Sequence, residues 1–485
     1  MEHFNKRLLF IVLSALPFGG IYAECKHIDQ DDIPFVIKHS GNYQLSEDIV
    51  FNGAGSAITI NANKVKLFLG THSITLSDPN GVGIFVNNSS EFEIESDKIE
   101  NISLAPQDGI GICVTDANKG LIKNVFTVNH FNGLLIQNST DICVESSQFL
   151  DAVGGAAFVE GSTNVCFDSC VFANSGYGLI FTGTNQDCSV LNSEFPSSTF
   201  SNLLVQQMNG MMLQNCSFSN VAGDPAKLNL VQFGDALPEQ LCNDVIIKNC
   251  TIVNRPAHTP TLGNTAPEGL GIYQGSGFLV ESCVIDIDNT NQDPAADLSG
   301  IHISNPGLGT LGTIASNVMV RNCVVQGPAT DGVYPDVGSS GVVIDNCLVT
   351  GAQKDGIFLA GTTASTVKNC TVVNNGTNGI FLGEVSVGNS VNNNIVDGNG
   401  LNPILSSIPP FGSGIGIASD STTNSIARNE LFNNTINGID DEGTGNRIFY
   451  NTAYANGGLN YFAATDTIIM SNPGDPAKSA ENINA

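Results

Sequence analysis

Tryptophan is absent from the 485 residues and charge is scarce: Asp, Glu, Lys and Arg make up 13%, against ~25% in an ordinary soluble domain. Basic residues are the scarcest class, with 18 Lys and Arg against 46 Asp and Glu, a formal charge of −28. Such a surface repels nucleic-acid phosphates and anionic lipid headgroups, which excludes nucleic acid and polybasic membrane contact as partner classes. Low charge beside 41% hydrophobic residues is also not the composition of a disordered chain. Beyond the N-terminus no run approaches ~18 continuous apolar residues, so no membrane span is expected after it. The 13 Cys include no Cys-x-x-Cys, which argues against zinc, and their odd number leaves at least one unpaired.

At the N-terminus, Lys6 and Arg7 precede an apolar run from Leu8 to Leu16, and Ile21-Tyr22-Ala23 offers a cleavage site. This pattern predicts a secretory signal over residues 1–23, and hence export to a periplasm, a surface or the medium. The remaining chain would hold 45 acidic and 16 basic residues, a charge of −29.

Self-similarity at a fixed period dominates the rest. Ile247-Lys248-Asn249-Cys250, Val280-Glu281-Ser282-Cys283, Val320-Arg321-Asn322-Cys323, Ile344-Asp345-Asn346-Cys347 and Val367-Lys368-Asn369-Cys370 are one phrase. Weaker copies align Asn101, Asn124, Ser146, Ser169, Asn192, Asn215, Asn393, Asn429 and Asn451, and nine of the thirteen gaps are 22–24 residues. A second phrase follows about ten residues later, as in Gly300-Ile301, Gly332-Val333, Gly356-Ile357 and Gly379-Ile380. Each cycle contains two or three runs of 3–5 residues that alternate apolar and polar between Gly, Asn, Asp and Ser, the pattern of short strands. No helix fits between them. Parallel strands then pair only if the chain coils, each turn resting ~4.8 Å from the next. The prediction is an all-β solenoid of about 14 or more turns, whose core is shared between neighbouring turns. The expected boundaries are an N-terminal cap over 24–56, the coil over 57–465 and a tail over 466–485.

With those phrases, and with Gly41-Asn42-Tyr43-Gln44-Leu45, Ala57-Ile58-Thr59-Ile60 and Gly70-Thr71-His72 near the start, the chain resembles a right-handed parallel β-helix of the pectate-lyase-like superfamily. It is most similar to the short-repeat branch found in carbohydrate-binding and sugar-hydrolase proteins, over roughly residues 30–465. The resemblance implies that Gly-Ile opens a first strand, that the Asn forms a turn ladder after the second, and that the Cys opens the third. Stacked Asn amides hydrogen-bond along such a rod. Asn215, Asn249 and Asn369 stand in glycosylation sequons, and burial in a ladder would protect them. Cys216, Cys250, Cys283, Cys323, Cys347 and Cys370 share one repeat position and read as an internal column of small hydrophobes. Their spacing admits disulfides by distance, while parallel Cβ vectors disfavour them.

Long gaps between copies mark insertions, near 254–268, 286–299 and 397–413, with others near 234–243 and 305–317. Long loops gathered on a few turns are a functional signal. They would wall the first-strand sheet around residues 271–336, which in the resembled superfamily is the saccharide cleft. Alternation puts Asn229, Gly271, His302, Tyr334, Phe358, Phe381, Gly416 and Asp440 in one outward column. Val231, Tyr273, Ser304, Asp336, Ala360, Gly383, Ala418 and Glu442 form the next. Tyr273, Tyr334, Phe358 and Phe381 would stack on sugar rings, or else be covered by Pro409, Pro410 and Phe411. His302, Tyr334 and Asp336, with Asp331 and Asp355 before their strands, are candidate acid–base groups. Arg255 is a candidate substrate-binding residue from a cleft-side loop. Asp286, Asp288, Asp293 and Asp297 crowd one insertion and offer oxygen ligands for Ca²⁺.

Catalytic motifs of the resembled enzymes are missing. Only Asp440-Asp441 resembles any of the polygalacturonase phrases, and the Asp-Pro-His-Glu of alginate epimerases and the Arg- and Lys-rich calcium pattern of pectate lyases are absent. Two readings follow. One is an exported protein that binds, and in the stronger version cleaves or modifies, a polysaccharide or cell-surface glycan. The charge favours a neutral polymer unless calcium bridges an acidic one. The other is a non-catalytic adhesin-type surface rod. A phage-type tailspike is a third, less compatible with a signal segment.

Overall fold

The computed structural model describes residues 25–97, 102–104, 109–220, 230–234, 241–254, 268–287, 299–303, 315–327, 329–402, 411–464 and 467–470. Among the described residues the chain forms 51 strands of 3–8 residues and one 3-10 turn, Gln30–Asp32. None of its helices is long and apolar enough to cross a membrane. The secretory signal expected over 1–23 lies outside the described residues.

Strand pairing is parallel throughout, and nearly every strand pairs with the third one before it and the third one after it. Three sheets therefore run the length of a coil. The front sheet carries the Gly-Ile strands, from Phe35–Ile37 to Tyr461–Ala463. A second sheet of 18 strands runs from Lys26–Ile28 to Ile468–Met470, and a third of 16 from Ile49–Phe51 to Thr452–Tyr454. All three begin inside the stretch expected as a cap. Lys26–Ile28 already pairs with Gly41–Leu45 in register, so cap and coil are continuous.

Both repeated phrases have a steric cause. The glycine of each Gly-Ile has no room for a side chain: a Cβ on Gly332, Gly356 or Gly379 would sit 2.4–2.5 Å from a Val methyl of the third sheet and 2.5–2.7 Å from the next turn's carbonyl oxygen. Close packing, and not a left-handed backbone, selects glycine there. The Asn of the other phrase is selected by backbone. Asn124, Asn192, Asn215, Asn249, Asn322, Asn346 and Asn369 have φ of +50° to +56°, a left-handed conformation that Asn tolerates better than other side chains.

Two expectations about this column are corrected. It is exposed, not buried, so burial does not protect the sequons; its amides do stack, Asn215 donating to Asn192 at 3.0 Å and Asn346 to Asn322 at 2.9 Å. The alignment also slips by one residue near the C-terminus. Left-handed corners there fall on Asn393, Arg428 and Tyr450, while Asn429 and Asn451 continue the cysteine column. That column runs inside the corner through Ser147, Cys170, Ser193, Cys216, Cys250, Cys283, Cys323, Cys347 and Cys370 to Asn394, Asn429 and Asn451. Its cysteines are free thiols, as are the other Cys. Each donates to the carbonyl two residues earlier, Cys370 to Lys368 at 3.2 Å. Burial pushes the Cys170 thiol up to about 12, keeping it protonated and inert.

Candidate functional site

The front sheet positions the candidate residues. His302 and Tyr334 are register partners in adjacent strands, Ser299–Ile303 and Asp331–Pro335, and both point outward between inward-facing Ile and Val. The same register places Gly271 before His302, and Gly416 and Asp440 after Phe381. At the preceding turn the outward partner of Gly271 is Gln232, and Val231 points into the core; Asn229 and Ser304 lie outside the described residues.

At ~4.8 Å per rung the outward rings stack on each other. His302 and Tyr334 are 4.8 Å apart between centroids, Tyr334 and Phe358 5.2 Å, Phe358 and Phe381 5.1 Å, with interplanar angles of 16–30°. Ring faces are thus taken up by neighbouring rings, and the edges of His302, Tyr334 and Phe358 line the surface. Phe381 is 2% exposed, and both Phe rings lean over Gly383, where a Cβ would meet them at 3.0–3.2 Å. Tyr273 closes the other end, its ring perpendicular to the imidazole at 6.0 Å.

Polar groups converge on His302. Its Nδ1 is hydrogen-bonded to a carboxylate oxygen of Glu268, which also accepts from the Tyr273 hydroxyl at 3.1 Å. Its Nε2 faces Asp336 Oδ2 at 3.8 Å. Asp336 accepts from the Tyr334 hydroxyl at 3.2 Å and from the Val337 N–H at 2.6 Å. Burial would lower the imidazole, but Glu268 and Asp336 outweigh it and hold it up to about 10. Burial likewise opposes the charge on Asp336, yet His302 and the Val337 N–H keep its carboxyl below the usual range. Burial raises the Tyr334 phenol. At neutral pH the arrangement is therefore an imidazolium held between Glu268 and the ionised Asp336, capped by two phenols. Its Nε2 is closed off from solvent, whereas the Asp336 side chain keeps 27% of its surface exposed.

Asp331 and Asp355 do not join this surface. They sit at the buried corner where the front strands begin, each 4% exposed. Asp355 donates its N–H to Asp331 at 3.0 Å and accepts from the Thr377 hydroxyl and from the Asn378 N–H at 2.8 Å. Burial raises its carboxyl. Asp286 sits on the third sheet between Val253 and Gln326, away from the front. Asp288, Asp293, Asp297 and Arg255 lie outside the described residues, as do Pro409 and Pro410. Among the described residues no three or more His, Cys, Asp or Glu are arranged to hold a metal ion. Glu268 was not among the sequence candidates. Its signal was position: it immediately precedes Gly269-Leu270, where Asp331 and Asp355 precede their own glycines.

The chain belongs to the family described as right handed beta helix region, whose model matches residues 34–195, 132–291 and 261–430. It is an all-β, right-handed parallel solenoid of about 15 turns. No curated protein matches it. Among solved structures it is similar to an alginate lyase from Paenibacillus sp. str. FPU-7, at 12% identity and a TM-score of 0.35, over 76% of this chain and 93% of that one. It is also similar to PfbA, a surface adhesin of Streptococcus pneumoniae, at 12% identity and 0.35, over 73% and 84%. The tailspike of E. coli bacteriophage HK620 matches at 10% identity and 0.40, over 80% and 69%. These likenesses concern the fold.

Proposed function

We propose that the protein is an exported polysaccharide-binding β-helix whose front sheet engages sugar hydroxyls through Asp336. The observation that carries this reading is the ionised, partly exposed Asp336 carboxylate, pinned by His302 and Tyr334 beside a wall of aromatic edges. A carboxylate held this way is a strong acceptor for paired hydroxyls and a weak base. His302 and Glu268 act as positioning residues, since both imidazole nitrogens face carboxylates. Tyr273, Phe358 and Phe381 shape the wall.

The test is calorimetric titration of the full chain with a panel of neutral and acidic polysaccharides, with calcium and with chelator. Reducing ends and the ultraviolet absorbance of unsaturated products are read in parallel. Binding of one polymer, weakened about tenfold or more by Asp336→Asn and unaccompanied by new ends, is the expected result. New chain ends that vanish in Asp336→Asn would replace binding with catalysis. Absence of binding across the panel would leave the adhesin-type rod.

A further inference from the structure

Away from the front, two half-buried thiols face outward from the second sheet. Cys143 and Cys166 are direct register partners in the parallel strands Thr140–Glu145 and Thr163–Asp168. Both alternate with inward-facing residues, Ile142 and Val144 in one strand and Val165 and Phe167 in the other, so both side chains leave the sheet on the same side. Leu121 and Ser189 occupy the neighbouring rungs of their column. Two residues further along, on the same outward face, Glu145 and Asp168 are also register partners, and Cys143 donates to Glu145 at 3.8 Å.

This juxtaposition is poorly suited to a disulfide. In-register parallel strands hold equivalent Cβ atoms about one rung, ~4.8 Å, apart, and a disulfide requires ~3.5–4.5 Å with an S–S bond of ~2.05 Å. The same rung matches two metal–thiolate bonds laid end to end, each ~2.3 Å, or about 4.6 Å in all. Soft two-coordinate cations prefer such a pair of thiolates. Zinc demands four ligands, and among the described residues no group of three or more His, Cys, Asp or Glu is arranged to hold it.

We propose that Cys143 and Cys166 form a clamp for a soft monovalent cation of the Cu(I) type, held linearly between adjacent rungs. Both thiols give up their protons, two sulfur–metal bonds form, and no electron is transferred. The bridged pair carries a net charge of −1.

The test uses the full chain, reduced, titrated with Cu(I) against a competing Cu(I) chelator. The native chain and Cys25→Ser, which removes another half-buried thiol, should each take up one tight equivalent. Cys143→Ser and Cys166→Ser should each bind about a hundredfold more weakly, since a chelating pair becomes a single ligand. Protection of Cys143 and Cys166 from maleimide alkylation by bound Cu(I), mapped by mass spectrometry, requires no variant and is expected at both positions together. Undiminished affinity in either variant, alkylation unaffected by Cu(I), or Zn²⁺ displacing Cu(I) at equal concentration would each overturn the clamp. So would quantitative recovery of a Cys143–Cys166 disulfide after mild treatment with a small-molecule disulfide.

Discussion

The two halves of the rod solve the same problem with different side chains. Up to Asn220 many front and second-sheet strands are 6–8 residues long, and the third sheet turns Phe149, Phe172, Phe195 and Phe218 inward. Those rings stack at 4.6–5.6 Å. From Val342 onward the strands shorten to 3–4 residues, and the inner corners fill with asparagine. Asn375, Asn399 and Asn434 form one ladder, Asn389, Asn424 and Asn446 a second, Asn394, Asn429 and Asn451 a third. Serine does the corresponding work in the first half with a single acceptor, as where the Val125 N–H meets Ser147 Oγ at 3.1 Å. The lesson is that shortened strands lose ladder bonds, and buried amides replace them, because a buried backbone group must be paired. An apolar column tolerates exchange among similar shapes, whereas an amide column does not.

The largest effect expected from breaking this comparison is at Asn429. Its amide donates to Val391 O at 2.9 Å and to Asn451 at 2.9 Å, and its oxygen accepts from the Asn394 N–H and amide at 3.0 and 2.9 Å. Asn429→Leu orphans several of these buried groups at ~1–3 kcal/mol each, so a loss of about 4 kcal/mol should appear in denaturant unfolding. Next is Gly356→Ala, whose methyl would meet Val372 at 2.5 Å and Gly379 O at 2.7 Å. Overpacking of that kind costs ~1–3 kcal/mol, and the melting temperature should fall accordingly. Phe172→Leu, in the middle of the ring stack, should cost no more than about 1.5 kcal/mol. A loss at Phe172→Leu equal to that at Asn429→Leu would erase the distinction between the halves. Taken per pH unit, the smallest effect is the stability slope set by His302. Its folded value, about 10, lies above the unfolded ~6.5. The stabilisation it brings is complete below about pH 6.5 and is lost as pH rises through 10, by at most ~1.4 kcal/mol per pH unit. Asp336→Asn should flatten that part of the stability–pH profile.

Much of the fold could be read directly, because two local demands recur every turn. Space above the Val column admits only glycine, and a left-handed corner favours asparagine, so both leave a period in the residues themselves. What was misread is equally instructive. Asn429 and Asn451 were aligned with the exposed corner because an asparagine looks the same at either position. Only the neighbouring φ values, positive at Arg428 and Tyr450, separate the exposed corner from the buried column. Alternation correctly placed His302, Tyr334, Phe358 and Phe381 outward. It could not show that their faces would be consumed by one another, since that depends on the rung spacing and ring rotamers. Asp331 and Asp355 are expected in the cleft and lie inside a corner, whereas Glu268, at the equivalent place before its own glycine, reaches His302.

By itself the sequence determined the coil, its period, its acidic surface and the sheet that bears the aromatic residues, because each follows from local sterics and alternation repeated many times. Only the tertiary structure decided which polar groups meet. Glu268 and His302 are 34 residues apart, and no repeat relates them. Their pairing arises because Glu268 opens one rung of the front sheet and His302 stands on the next, so that stacking turns converts a distant pair into neighbours and the imidazole is held up to about 10.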